Sequence, residues 1–459
     1  MASELAARNG GWIGLGALVA ILLLGLGLRV GEAWDGRAPV YDAQAYAAIA
    51  ANLEEGHGFT VGAQATQPSS NYSPGLPLFA AGVYEVTGGV HERLARIVLA
   101  VVGAMSVLFA YLVGRRLIRP PHRPGSSEVG VAAVWPALLG AAVVAVYPAL
   151  LEYQGMLMSE PLAATLLSGG VLAVLWAWEG AWARWALPGA LLGALALVRP
   201  EYLGVAVLVA VVVFAREARG DWRQSLLRAA VFLGALVVIL APWTIRNAVA
   251  LDRFVPISTG GGQVLFAGTY LPSDGDPEKV GAEVVAENPQ LFAPDAAQEL
   301  RLEQILARLA QARYPGMETD QALSKMGKEQ LWDDISEEPL EYAGFVATKV
   351  GRIWSHGPRD VMREPGWEVL HWALVALGLL GLAILAWRRR WEALMFGALF
   401  LAITAISALL VASPRRVLVL VPLLGALAGM TIAWLASFPG YREEKSPLVP
   451  ERPDSLSRP

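Results

Sequence analysis

Apolar residues fall in long runs along this chain, separated by short polar stretches. A helix needs about 20 mainly apolar residues to span a bilayer. Such runs cover residues 12–30, 94–113, 129–151, 161–178, 229–245, 369–387, 393–412 and 417–438. A longer stretch, 185–214, is interrupted by Arg199-Pro200-Glu201. Pro200 disfavours helix at the residue before it, so this stretch predicts two short helices joined by a turn. Irregular backbone at membrane depth must be shielded by protein or line a wet cavity. The first run is long for a signal peptide and no small-x-small cleavage site follows it before Trp34, so it reads as a retained helix.

Arginines fix the orientation. They follow the second run (Arg115, Arg116, Arg119, Arg123), the fourth (Arg184), the interrupted stretch (Arg216, Arg219, Arg223, Arg228) and a later run (Arg388, Arg389, Arg390). The positive-inside rule places all of these in the cytoplasm only if the chain turns at Arg199-Pro200. The expectation is an all-α polytopic membrane protein with about ten transmembrane helices and both termini inside. Residues 1–245 form an N-terminal transmembrane core that includes a first outer loop, 31–92. Residues 246–365 form a second outer loop carrying helices, 366–440 the C-terminal membrane helices, and 441–459 a disordered cytoplasmic tail rich in proline and charge.

Both outer loops carry helical patterns. In the first, Tyr46, Ile49, Ala50 and Leu53 share a face, with Asp42 ahead of them as a cap. Residues 78–86 are apolar but too short to span, and predict an interfacial or re-entrant piece. In the second, Leu302, Ile305, Leu306 and Leu309 repeat at helical spacing. So do Tyr342, Phe345, Val346, Val350 and Trp354, with Lys349 and Arg352 interleaved, as in a helix lying in the membrane interface.

Composition supports lipid as solvent. Of 459 residues 55% are hydrophobic and 17% charged, against about 25% charged in soluble domains. A net charge of −4 gives no nucleic-acid signal. With no cysteine and five histidines, thiolate chemistry is excluded and no compact metal-ligand set is visible. No P-loop or Rossmann fingerprint is present, so if the chain is a transferase its activated donor is not expected to be a cytosolic nucleotide.

Ionic residues at the membrane edge are costly and invite functional readings. Asp42 is a helix cap or a general base. Glu160, in Met158-Ser159-Glu160-Pro161, is a helix-start residue or a contact to a partner or substrate. Arg199 and Glu201 pair with each other or place a cation near an outer cavity. Arg246, Arg253, Arg415 and Arg416 snorkel to lipid phosphate or bind a phosphate leaving group with their planar fork; Arg246 and one of the paired arginines are the candidates for the second role.

These segments in this order resemble the GT-C fold glycosyltransferases, in particular the family 39 and aminoarabinose-transferase-like group that includes protein O-mannosyltransferases. The matching pieces are Tyr41-Asp42-Ala43-Gln44-Ala45-Tyr46, Asn52-Leu53-Glu54-Glu55-Gly56-His57-Gly58-Phe59, Tyr72-Ser73-Pro74-Gly75-Leu76-Pro77, Met158-Ser159-Glu160-Pro161, Leu197-Val198-Arg199-Pro200-Glu201, Pro242-Trp243-Thr244-Ile245-Arg246-Asn247 and Phe254-Val255-Pro256-Ile257-Ser258-Thr259-Gly260-Gly261-Gly262. The resemblance implies inverting transfer of a sugar from a polyprenyl-phosphate donor to a lipid, glycan or protein acceptor, at the outer face of the cytoplasmic membrane. It places the catalytic base at Asp42, and Glu160, the other acid at the outer edge, is the second catalytic candidate. Donor phosphate contacts fall on Arg246, Arg199, Arg415 and Arg416, and substrate contacts on Tyr46, His57 and Tyr72. Relatives often carry two adjacent acids in the first-loop motif, whereas Ala43 follows Asp42 here. Metal use varies among GT-C enzymes, and no cofactor is expected. The alternative from another class is a transporter or flippase of a lipid-linked saccharide.

Overall fold

The computed structural model describes residues 2–38, 42–62, 67–118, 134–217, 220–276 and 278–437. Arg119, Arg123, Arg219, Tyr41 and the C-terminal tail lie outside the described residues. In chain order the main helices are α1 (Ala2–Asp35), α2 (Asp42–Glu54), α3 (Gly75–Thr87), α4 (Glu92–Ile118), α5 (Val134–Val146), α6 (Pro148–Gly155), α7 (Ser159–Ala177), α8 (Ala186–Val198), α9 (Tyr202–Glu217), α10 (Trp222–Leu251), α11 (Gly261–Thr269), α12 (Val280–Glu287), α13 (Leu302–Arg313), α14 (Thr319–Glu337), α15 (Pro339–Ser355), α16 (Pro365–Trp387), α17 (Glu392–Leu409) and α18 (Val421–Ala436). Every regular element among the described residues is helical, and the chain is an all-α polytopic membrane protein.

Six helices (α1, α4, α7, α10, α16 and α17) are long and apolar enough to cross a membrane. The pair α5–α6 adds a seventh path, bent by 40°, and α8, α9 and α18 are shorter apolar helices. The run at 129–151, expected as one span, is therefore broken. The cause is Pro148, which has no N–H for the Val144 carbonyl four residues back. Arg29 of α1, only 1% exposed, donates instead, to Val144 O at 3.0 Å and Ala145 O at 2.9 Å. An unmet carbonyl in hydrocarbon costs several kcal/mol, which explains a buried guanidinium here.

The expected turn is present. α8 ends at Val198, α9 begins at Tyr202, and the chain reverses at Arg199-Pro200-Glu201. The apolar piece of the first loop, α3, buries Leu76, Ala80 and Tyr84. Its first residue, Gly75, presses on the end of α8: a Cβ there would meet Val198 N at 2.7 Å. Absence of a side chain at Gly75 lets the first loop lock onto the turn.

The two ends of the bundle differ. At one end Arg116 donates to Leu175 O at 3.1 Å, Arg390 donates to Leu117 O, and Arg216 lies over the Trp178 and Trp391 rings at 4.0 and 4.6 Å. Arginine with tryptophan is the pattern of a membrane–water interface. Asp42, the first loop and the 199–201 turn lie at the other end.

Between α10 and α16 the chain builds a separate lobe, with Phe266, Val284, Ile305, Leu306 and Leu323 in its core. One expectation changes here. The buried face of α15 is Tyr342, Phe345, Lys349 and Ile353, so Lys349 points inward rather than to water. Its ammonium donates to Gly268 O at 2.5 Å and Ala408 O at 2.6 Å. These carbonyls close the last turns of α11 and α17, where no helical partner exists and a cation suits both dipoles. Burial, and secondarily the Arg416 charge, lower the Lys349 pKa to about 7.

Candidate active site

Four separate segments bring charged side chains to one point. Asp42 is the first residue of α2, Glu160 the second of α7, Arg199 follows α8, and Arg415 opens the helical turn Arg415–Leu418 before α18. Arg415 bridges the two acids: Nη1 donates to Asp42 Oδ2 at 3.0 Å and Nε to Glu160 Oε1 at 2.5 Å. Arg199 Nη1 donates to the same Glu160 oxygen at 3.1 Å, while its Nε donates to Glu201 Oε1 at 2.9 Å. Arg416 Nε lies 4.0 Å from Glu201 Oε1, and another arm of its fork donates to Val411 O. Three guanidiniums thus face three carboxylates.

The carboxylates have different surroundings. Glu160 is 0% exposed and held by two guanidiniums, whereas the Asp42 side chain is 39% exposed. Removing one partner of a buried ion pair leaves an uncompensated charge, which costs about 3–5 kcal/mol. Glu160 Oε2 is buried and has no hydrogen-bond partner among the described residues. Geometry therefore makes Glu160 an anchor for arginines and leaves Asp42 as the carboxylate that another molecule can reach.

Aromatic rings wall the site. Tyr46 sits one helical turn after Asp42 and meets Tyr72 edge-on, centroids 5.8 Å apart. Tyr72 donates to Glu303 at 3.3 Å, tying the first loop to α13 of the lobe. Burial, then the Glu303 and Asp42 carboxylates, raise the Tyr72 phenol above its ordinary value, so it remains a neutral donor.

Two neighbours were not singled out from sequence. Tyr153 of α6 lies between guanidiniums, 5.7 Å from Arg415 and 5.9 Å from Arg359. Arg359 also donates to Glu152 at 3.0 Å, as does Arg37 at 2.9 Å. Arg359 has φ 82°, a conformation strained for a residue with a side chain. The signal for Arg359 in the sequence is an arginine in an outer loop, against the positive-inside trend.

Arg246 and His57 make their contacts elsewhere. Arg246 donates to Ser69 O at 2.9 Å, Phe59 O at 3.2 Å and Asn247 Oδ1 at 3.0 Å, and stacks over Trp243 at 4.9 Å. Its fork is committed to shaping the first loop. His57 is exposed, with Nδ1 3.4 Å from Glu55.

Among the described residues no three of His, Cys, Asp and Glu cluster as a metal site requires. Glu160 Oε1 already accepts from two guanidiniums.

No family model and no curated protein sequence matches the chain. Solved structures do. The archaeal oligosaccharyltransferase AglB from Archaeoglobus fulgidus, in complex with an inhibitory peptide and a dolichol-phosphate, aligns at TM-score 0.53 and 15% identity over 97% of this chain and 53% of that one. The apo form of the Archaeoglobus fulgidus oligosaccharyltransferase aligns at TM-score 0.55 and 15% identity over the same shares. ArnT from Cupriavidus metallidurans, bound to undecaprenyl phosphate, gives TM-score 0.40 at 16% identity over 96% of this chain and 82% of that one. The fold is of the GT-C type. The chain spans about half the length of the oligosaccharyltransferase structures it matches.

Proposed function

We propose that this chain is an inverting membrane glycosyltransferase that moves a sugar from a polyprenyl-phosphate carrier to an acceptor at the outer face of the membrane. The observation that carries this reading is Arg415 joined to both Asp42 and Glu160, beside Arg199. One reachable carboxylate next to a preorganised pair of guanidiniums supplies what the reaction demands. The acceptor oxygen bonds to the anomeric carbon, the carbon–oxygen bond to phosphate breaks, and the acceptor proton passes to Asp42. The carrier phosphate leaves as an anion and is stabilised by the arginine forks. Glu160 and Glu201 hold those forks in place, so little reorganisation accompanies the reaction. The phosphate competes with Asp42 for Arg415, and donor binding thereby releases the base toward the acceptor. Inversion requires the base on the ring face opposite the leaving group, as in the corresponding hydrolases. A GT-C neighbour described in complex with dolichol-phosphate supports the choice of donor class. The arginine-rich far end supports an outer-face site, because cytoplasmic loops collect arginine.

The test is transfer by purified protein in nanodiscs from radiolabelled polyprenyl-phosphate sugars, with chromatography separating donor, product and free sugar. Transfer or slow donor hydrolysis, abolished in Asp42→Asn, is expected. Translocation of lipid-linked saccharide across vesicles, without cleavage of any donor, would overturn the proposal in favour of a flippase.

A further inference from the structure

A second site lies at the other end of α7. A groove of about 680 Å³ opens between α4, α7 and α8. One face of α7 forms its floor, including Thr165, Gly169, Leu172 and Trp176, and Met105 and Leu187 stand in the walls. Met105, Leu187 and Trp176 are exposed in the isolated chain, so the groove faces the surrounding lipid. Its floor runs about 16 Å along α7 at 1.5 Å per residue. That is about half of a 30 Å hydrocarbon core, the depth of one leaflet.

The rim is cationic. Arg115 and Arg116 line the groove at its arginine-rich end. Arg116 is matched by Glu179 at 2.5 Å. Among the described residues Arg115 has no carboxylate partner: its Nε is buried without a hydrogen-bond partner, Nη1 reaches the Tyr111 hydroxyl at 3.5 Å, and the guanidinium lies 5.9 Å from that ring. Arg184 adds a third cation beside the rim, over the Trp176 ring at 4.5 Å. An apolar trough one leaflet deep, ending at a guanidinium with no carboxylate partner among the described residues, is complementary to a lipid whose head is an anion.

We infer that this groove binds one anionic phospholipid from the leaflet at the arginine-rich end, with an acyl chain along α7 and the phosphate on Arg115. A zwitterionic lipid fills the trough equally well but brings its own cation to the rim and leaves the excess positive charge uncompensated. The inference does not depend on the transferase reading, because the cluster around Glu160 sits at the opposite end of the same helix.

Native mass spectrometry can decide it. The protein is reconstituted in nanodiscs of equal phosphatidylglycerol and phosphatidylethanolamine, released, and the retained lipids are identified. Wild type should keep one phosphatidylglycerol. Arg115→Gln should lose about fivefold of that preference, the worth of one arginine at an anionic surface. Arg115→Lys keeps the charge and should retain it. Leu172→Trp fills the floor and should lose both lipids. Equal retention of the two lipids by wild type, or like behaviour of the Gln and Lys variants, would overturn the inference.

Discussion

Asp42 and Arg415, 373 positions apart in the chain, are joined by a 3.0 Å hydrogen bond between carboxylate and guanidinium. The same guanidinium binds buried Glu160, so the first outer loop, the start of α7 and the start of the last helix meet on one side chain. The carboxylates therefore differ in kind: one is an anchor, the other is accessible.

Asp42→Asn should abolish transfer, by about 10²- to 10⁴-fold, while donor binding is retained or tightened, because the amide competes less for Arg415, and the melting temperature stays close to wild type. Asn still accepts from Arg415 and starts a helix well, but takes no proton at neutral pH. Turnover within a few-fold of wild type would remove Asp42 as the base.

Glu160→Gln should act on stability as well as on activity. It leaves Arg199 and Arg415 facing a neutral amide in a buried place, and a loss of about 3–5 kcal/mol is expected. Thermal melts in detergent check this. An inactive Glu160→Gln with an unchanged melt would instead assign Glu160 the role of base.

Arg246→Ala should free the first loop. Its donors hold the Ser69 and Phe59 carbonyls, so limited proteolysis near residues 56–62 should speed up. Arg246→Lys should rescue poorly, because a point charge cannot reproduce the fork. A variant with wild-type proteolysis but weaker donor affinity would return Arg246 to the phosphate site.

Lys349 should make stability rise with pH. Its pKa falls from 10.5 unfolded to about 7 folded. Between those values the unfolded chain holds the extra proton, so unfolding becomes harder by about 1.4 kcal/mol per pH unit. Below pH 7 the penalty of the buried charge is fully present. Melts from pH 6 to 9 should slope upward in wild type and flatten in Lys349→Met; equal slopes would refute the assignment.

Single cysteines at His57 and Arg184 should label from opposite sides of a sealed vesicle. The chain has no native cysteine to confuse the result. Labelling from one side would contradict the topology read from the arginines.

The spanning helices were legible in the amino-acid order because hydrocarbon leaves the backbone no partner but itself, so apolar length alone predicts helix. The reversal at Arg199 was legible for two independent reasons, the proline and the side on which arginines must fall. Asp42, Glu160, Arg199 and Arg415 were visible as ions where ions are expensive. What no local pattern encodes is which of them meet. The break at Pro148 is tolerable only because Arg29 arrives from another helix, 115 and 116 positions away in sequence. The polar-looking position of Lys349 on an amphipathic helix turned inward because two helix ends needed a donor there. Arg246, next to a span just as Arg415 is, was drawn to loop carbonyls instead of the cluster. Sequence sets the cost of each charge in the membrane; helix packing decides which partner offsets it, since that depends on contacts between segments hundreds of residues apart.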